Sequence, residues 1–289
     1  MRLSRHGLVR YWTDWAAPTM LGAFICLAIG LAFQQHAAYR TNLYDLGSYA
    51  HLVWNIANGR PFVTSLWPAS YLTNHFSLAL VFLAPVFWLW SDPRALMAVQ
   101  QIILATAVWP AYLIVRKQYP RLAPLLVLAY VISPLLHQTA FAEFHGVMLA
   151  VPFLAWAVYA LYQRRTWPLV VALVLAMLAR EDVGLYVASF GLFLLMTRKG
   201  QRLLGAGLIA LGGLWVIAVI NWVMPALGRA YNHFKVFSSL GGSMSEIVLN
   251  VVREPARLVD LIGTPSKIRA LMGFILPLAG LPLLALDYV

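Results

Sequence analysis

Acidic residues are scarce in this chain, ten against 21 Lys and Arg, and four of them stand in three short motifs. Asp45 lies in YDLGSYAHLVWN, Glu143 lies beside His145 in AEFHG, and Glu181 and Asp182 follow Arg180 in REDVG. A carboxylate at a lipid–water boundary can act as a general base, bind a metal ion or remain simply hydrated. With a neighbouring imidazole it is the usual equipment for taking a proton from a hydroxyl, so Asp45, Glu143 and His145 are the candidate catalytic set. The same three side chains are the candidate metal ligands, a divalent cation being the candidate cofactor. Glu143-Phe144-His145 is too tight a spacing to put two ligands on one helical face, and no particular metal is specified.

Arg180-Glu181-Asp182 interrupts an apolar run. A charge at the bilayer centre costs about 3 kcal/mol or more, so such residues pair with one another or serve a ligand or pathway. One reading is a self-paired Arg–acid turn. The other has Arg180 meeting an anionic group such as phosphate, with Glu181 or Asp182 orienting it or binding a sugar hydroxyl. Asn74-His75 adds two hydrogen-bonding groups, for a polar ligand or, at Asn74, for a turn cap. Asn74, His75, Arg180, Glu181 and Asp182 are therefore the candidate substrate-binding residues. His36, His51 and His137 stand alone and read as structural. Gly241-Gly242-Ser243 lacks the strand–loop–helix setting of a phosphate-binding loop and reads as a flexible loop.

The elements that must carry these residues are membrane helices. The chain is 62% hydrophobic and 11% charged, with a mean hydropathy of +0.75. A soluble domain of 289 residues has no room for that much apolar surface. The expected fold is all-α and polytopic, a single membrane domain over residues 1–289. The net charge of +11 does not point to nucleic acid, because the basic residues sit in short loops between apolar runs, where the positive-inside rule puts them. Cys26 is the lone cysteine, which excludes an internal disulfide and a cysteine-based metal site.

Arg2, Arg5 and Arg10, followed by Tyr11, Trp12 and Trp15, mark a cytoplasmic N-terminus. About eight spans are expected: residues 16–33, 95–115, 122–136, 147–162, two short ones within 168–197, then 203–223 and 268–286. The first reads as a retained anchor, since no small-x-small cleavage site follows it. Residues 34–94 and 224–267 form two large outer segments, the second Gly/Ser-rich and loop-like around 238–245. The apolar run 78–90 contains Pro85 and is short for a span, so it reads as re-entrant or interfacial. Residues 168–197 carry basic clusters at both ends, which requires an even number of crossings. A hairpin of two short spans puts Arg180-Glu181-Asp182 at its tip, facing a water-filled or protein-lined recess.

Residues 44–55 read as an amphipathic helix in the membrane surface. Asp45, Ser48, His51, Asn55 and Asn58 share one arc, and Leu46, Tyr49, Val53, Ile56 and Ala57 fill the other. Thr41 or Asn42 can cap its start and Gly59 can end it in a left-handed turn. This topology gathers Asp45, Asn74, His75, Glu143, His145 and the 180–182 triplet on the extracytoplasmic side of the inner (cytoplasmic) membrane. No internal repeat is visible, which disfavours an inverted-repeat transporter.

YDLGSYAHLVWN, NHFS, AEFHG and REDVG, in this order and spacing, resemble the bacterial and archaeal predicted membrane proteins catalogued as domain of unknown function 2079. The resemblance covers nearly the whole chain. Departures are His51 where Gln is common, Leu78 and Gly146 where Pro is common, and Arg180 where Lys is common. Members are usually longer, so the chain is expected to be truncated at its C-terminus relative to the family. The layout is similar to that of GT-C glycosyltransferases, which include the protein mannosyltransferases and the aminoarabinose transferases of lipid A. Those enzymes carry an acid just after the first span, a second acid in the next outer loop and a basic residue at a short hairpin tip. Asp45, Glu143 and Arg180 match these positions in order.

The resemblance implies transfer from a polyprenyl-phosphate-linked sugar to an acceptor outside the cytoplasm. Asp45 would be the general base, Glu143 and His145 would orient the acceptor or support a cation, and Arg180 would stabilise the departing lipid phosphate. The expected partners are the lipid bilayer, the lipid-linked sugar and an acceptor. Two other classes fit the same charges: a transporter or flippase for a lipid or polar solute, and a non-catalytic membrane assembly protein.

Overall fold

The computed structural model describes residues 5–66, 70–228 and 238–275. Arg2, Pro68 and the part of the eighth expected span beyond residue 275 lie outside the described residues. Among those described, the chain is all-helical, with no strand. The α-helices in order are α1 Arg5–Ala37, α2 Ser48–Ala57, α3 Ala84–Leu89, α4 Pro93–Thr106, α5 Trp109–Gln118, α6 Ala123–Val131, α7 Pro134–Ala140 and α8 Ala150–Tyr162. They continue as α9 Thr166–Met177, α10 Val183–Thr197, α11 Arg202–Ala218, α12 Met224–Ala226, α13 Met244–Arg253, α14 Pro255–Ile262 and α15 Pro265–Ile275.

Three helical stretches are long and apolar enough to cross a membrane: Asp14–Ala37, Pro93–Gln118 and Lys199–Ala226. A fourth is added if the bent pair α6–α7 is one span. Prolines account for the interruptions. Pro110 follows the break between α4 and α5, where its ring would meet the carbonyl four residues back. Pro134 forces Ser133 into an extended conformation (φ −63°, ψ 127°). The α6 and α7 axes consequently meet at 53°. Leu78–Leu89, Gly146–Tyr162, Thr166–Met177 and Val183–Thr197 are apolar but shorter. At 1.5 Å per residue, α9 is about 18 Å long, well under the ~30 Å of a hydrocarbon core.

The helices α8 to α11 run up and down. Glycines let α10 and α11 touch backbone to backbone. A Cβ on Gly184 would lie 2.6 Å from the Gly212 carbonyl oxygen, and one on Gly191 would lie 2.5 Å from that of Gly205. The reciprocal additions fare no better, at 2.1 Å for Gly212 and 2.7 Å for Gly205. Gly184 and Gly191, like Gly205 and Gly212, are two helical turns apart, so each pair shares a face. Close packing of small residues drives helix association in lipid, where apolar side chains gain nothing by leaving their neighbours.

The segments 34–94 and 224–267 hold more helix than their composition implies. Residues 44–55 begin as a π turn, Leu43–Gly47, and continue as α2. Asn42 Oδ1 accepts from the Asp45 amide at 2.9 Å, whereas Thr41 Oγ1 pairs with His36 Nδ1 at 2.8 Å. Gly59 ends the helix region at φ +76°. Leu46, Tyr49, Val53 and Ile56 of the apolar arc are buried and Ala57 is half-buried, but Ser48 and Asn55 of the polar arc are buried too. Asn55 Nδ2 donates to the Val63 carbonyl at 2.9 Å and holds the following loop. The loop expected around 238–245 is turn and bend over 238–243, and α13 begins at Met244. Ser243 Oγ accepts from the Glu246 amide at 3.3 Å, and the Glu246 carboxylate accepts from the Gly242 amide at 2.8 Å. Ser243-x-x-Glu246 is a capping-box pattern that starts the helix.

The largest apolar cluster joins the end of α1, all of α2, residues 71–87, the start of α4, the start of α8 and the α9–α10 turn. The glycine contact predicts a sharp asymmetry between neighbours. Gly212→Ala should lower stability by about 1–3 kcal/mol, because backbone must move. Gly213→Ala, which meets nothing within 4 Å, should leave stability unchanged or slightly raised. Thermal unfolding in neutral detergent reads both; equal melting of the two variants would remove the glycine contact as a determinant.

Candidate functional site

Two carboxylates attach the segment between α1 and α4 to the helices. The half-buried Glu143 accepts the amide of Asn42 at 2.5 Å through Oε1 and that of Leu46 at 3.0 Å through Oε2. Hydrogen bonds to a charged acceptor contribute about 1.5–3 kcal/mol each. They fix the π turn, and with it Asp45. Buried Gln100 and Gln101 of α4 hold the same loop from below. Gln100 Nε2 donates to the Ala142 carbonyl at 2.9 Å and Gln101 Nε2 to that of Ala140 at 2.6 Å.

Glu181 plays the corresponding part for residues 74–77. It is 1% exposed, with Oε1 3.0 Å from His75 Nδ1 and Oε2 accepting the Phe76 amide at 2.8 Å. Burial alone would raise its pKa. The hydrogen bond and charge of His75, with the Phe76 amide, outweigh burial and hold it below the ordinary 4.5. The Leu178 carbonyl adds a further tie by accepting the Ala79 amide at 2.8 Å.

Between these anchors lies a pocket of about 150 Å³, lined by Tyr44, Asp45, Ser48, Tyr49, Tyr71, Asn74, His75 and His145. His145 Nδ1 faces the Glu143 carbonyl oxygen at 2.8 Å. A carbonyl only accepts, so Nδ1 carries the proton. Nε2, the other ring nitrogen, lies 3.8 Å from Asp45 Oδ1. That separation is too long for a direct hydrogen bond. A carboxylate and an imidazole thus face each other across a gap at the pocket wall.

Arg180 spends Nε and Nη2 on Asp182, each at 2.6 Å, in a two-pronged pair. This is the self-paired turn, with both partners still partly exposed. Burial works against the Arg180 charge, but the Asp182 pair raises its pKa overall. Arg180 also acts electrostatically on the Tyr49 hydroxyl, as does Asp45, so both charges lie near that hydroxyl, although only Asp45 of the two lines the pocket. Tyr49 and Tyr71 are hydrogen-bonded to each other, and burial raises both pKa values. Both phenols are therefore neutral donors. The Tyr49 ring packs on Phe144 at 5.3 Å and near His145 at 6.2 Å. A Cβ at Gly146 would lie 3.3 Å from that ring.

The structure thus brings Asp45, His145, Asn74 and His75 to one pocket. It turns Glu143 and Glu181 into backbone anchors behind it, and pairs Arg180 with Asp182 beside it. Among the described residues, no three His, Cys, Asp or Glu side chains are grouped to hold a metal. The trio Asp45, Glu143 and His145 is not gathered, because Glu143 faces backbone amides. Sequence reasoning missed Tyr49, which it placed on the apolar arc of the 44–55 helix, and Tyr71. It also missed Gln100-Gln101, an adjacent polar pair inside an apolar run that was itself a signal.

The model of the DUF2079 predicted membrane proteins matches residues 35–289. The chain belongs to that family. The match contains every motif of the pocket, from YDLGSYAHLVWN to REDVG. Searches of curated proteins and of solved structures gave no match.

The Glu181 anchor makes a pH prediction. A depressed folded pKa contributes stability that is complete above the unfolded value, near 4.5, and is lost as pH falls through the folded value. The parent melting temperature should therefore fall as pH drops below that point. Glu181→Gln should be less stable at pH 7 by about 2 kcal/mol, with a flatter acid limb. Parallel acid limbs for the two proteins would show that another group governs the transition.

Proposed function

We propose that this chain is an integral-membrane glycosyltransferase acting on a polyprenyl-phosphate-linked sugar. The observation that carries the reading is the Asp45–His145 pair. A carboxylate oxygen and an imidazole nitrogen, 3.8 Å apart, face one pocket together with Asn74, His75 and neutral tyrosine hydroxyls. An acceptor hydroxyl entering between them can give its proton to Asp45, with His145 Nε2 as the second acceptor in reach. The freed oxygen attacks the anomeric carbon, the bond from that carbon to phosphate oxygen breaks, and the polyprenyl phosphate leaves with the electron pair. Arg180 retains Nη1, which makes no hydrogen bond among the described residues. That edge, beside the pocket, suits the charge developing on the phosphate.

In this reading Glu143 positions Asp45, and Glu181 positions His75 and Asn74. The short helices α8, α9 and α10 complete an eight-span, GT-C-like layout. The pocket opens on the extracytoplasmic face of the inner membrane, with the N-terminus cytoplasmic. Polar rings and hydroxyls around a carboxylate suit a sugar, and a lipid-linked donor would meet the pocket at head-group depth.

The test is release of polyprenyl phosphate from a panel of lipid-linked sugars by purified protein in membranes, with an acceptor-containing membrane extract present. Asp45→Asn should reduce release by about 10²- to 10⁴-fold while melting like the parent. Equal release by both proteins would remove Asp45 from the chemistry. Absence of release by the parent from every donor would favour a transporter, flippase or assembly protein.

A further inference from the structure

The end of α8–α11 away from the pocket carries a second feature. Here α8 hands over to α9 and α10 to α11, and Arg164, Arg165, Arg198, Lys199 and Arg202 cluster at these two junctions. Arg164, Thr197, Arg198, Gly200 and Gln201 line a hollow of about 380 Å³. Arg198 binds the two junctions together. Its Nη2 donates to the Leu161 carbonyl at 3.0 Å and its Nη1 to Gln201 Oε1 at 3.3 Å. None of the five cations makes an ion pair among the described residues. The only acids between residues 146 and 228 are Glu181 and Asp182, about 18 Å away along α9. Asp14, on α1, is taken by Arg116 at 2.6 Å.

The surroundings choose between a lipid and a dissolved anion. Trp167, Met196 and Leu203, which flank the arginines in the chain, are 75%, 65% and 87% exposed. Exposed apolar side chains beside uncompensated cations at the end of apolar helices match the boundary between head groups and acyl chains. Arg164 sits at φ +56°, one residue past the C-cap of α8, where glycine is the usual occupant. An arginine there places its charge at the hollow at a conformational cost that glycine would avoid.

We infer that this hollow binds the phosphate of an anionic phospholipid, with Arg164 and Arg198 as its principal ligands and Trp167, Met196 and Leu203 against the acyl chains. The site is separate from the Asp45 pocket and does not depend on its chemistry.

The experiment is thermal unfolding of the full chain in neutral detergent micelles, titrated with phosphatidylglycerol, with phosphatidylcholine and with inorganic phosphate. Phosphatidylglycerol should raise the melting temperature saturably, and phosphatidylcholine should not. Arg164→Gly and Arg198→Gln should each weaken the apparent affinity for phosphatidylglycerol by about tenfold. Arg164→Gly relieves the left-handed backbone, so it should melt no lower than the parent without lipid, which separates binding from folding. Equal shifts with the two lipids, or a full phosphatidylglycerol response in both variants, would overturn the site. An equal shift with inorganic phosphate would overturn the lipid as its occupant.

Discussion

Glu143 accepts two main-chain amides and Glu181 one, all from the segment between α1 and α4, and the arrangement of the pocket depends on those bonds. A partly or fully buried carboxylate is tolerated only when its oxygens are hydrogen-bonded. Here that requirement is met by the polypeptide itself, at Asn42, Leu46 and Phe76. The main chain around Asp45 and around Asn74-His75 is therefore tied to loops that begin or end apolar helices. Removing either anchor leaves amides without partners in an apolar setting. The acids that look most chemical in a list of residues serve geometry, while the acid held by them borders open space.

The second constraint is helix length. Helices of 12 to 15 residues, α9 and α10, cannot span a hydrocarbon core alone. Their connecting turn consequently lies among protein groups, against residues 75–79. That is where Arg180, Glu181 and Asp182 find partners. The glycine faces of α10 and α11 fix the other side of this hairpin. One end of α8–α11 gathers carboxylates and imidazoles, and the other gathers uncompensated arginines. The polarity follows from helix direction, since α8 and α10 start at the pocket while α9 and α11 start at the basic end.

Much of the architecture was legible in the chain. Apolar runs marked the all-α membrane class, and the long stretches Asp14–Ala37, Pro93–Gln118 and Lys199–Ala226 coincide with expected spans. Pro85 and the shortness of its run separated residues 78–90 from those spans. Asn42 and Gly59 were readable as the start and end of the Asp45 region, because capping and left-handed turns depend on local residue type. The seven-residue spacing of Gly184 with Gly191 and of Gly205 with Gly212, and the Ser243-x-x-Glu246 pattern, are local signals that the sequence reading passed over.

Local pattern could not decide partners. Glu143 and Asn42 are 101 residues apart in the chain, and Glu181 and His75 are 106 apart. Nothing in the spacing of AEFHG says that its glutamate faces amides while its histidine faces a pocket. The residue types determined the membrane class, the helix ends and the rarity of acids. Only tertiary packing decided which acid became an anchor, which paired with Arg180 and which faced the pocket, because burial and hydrogen-bond partners come from segments far apart in sequence.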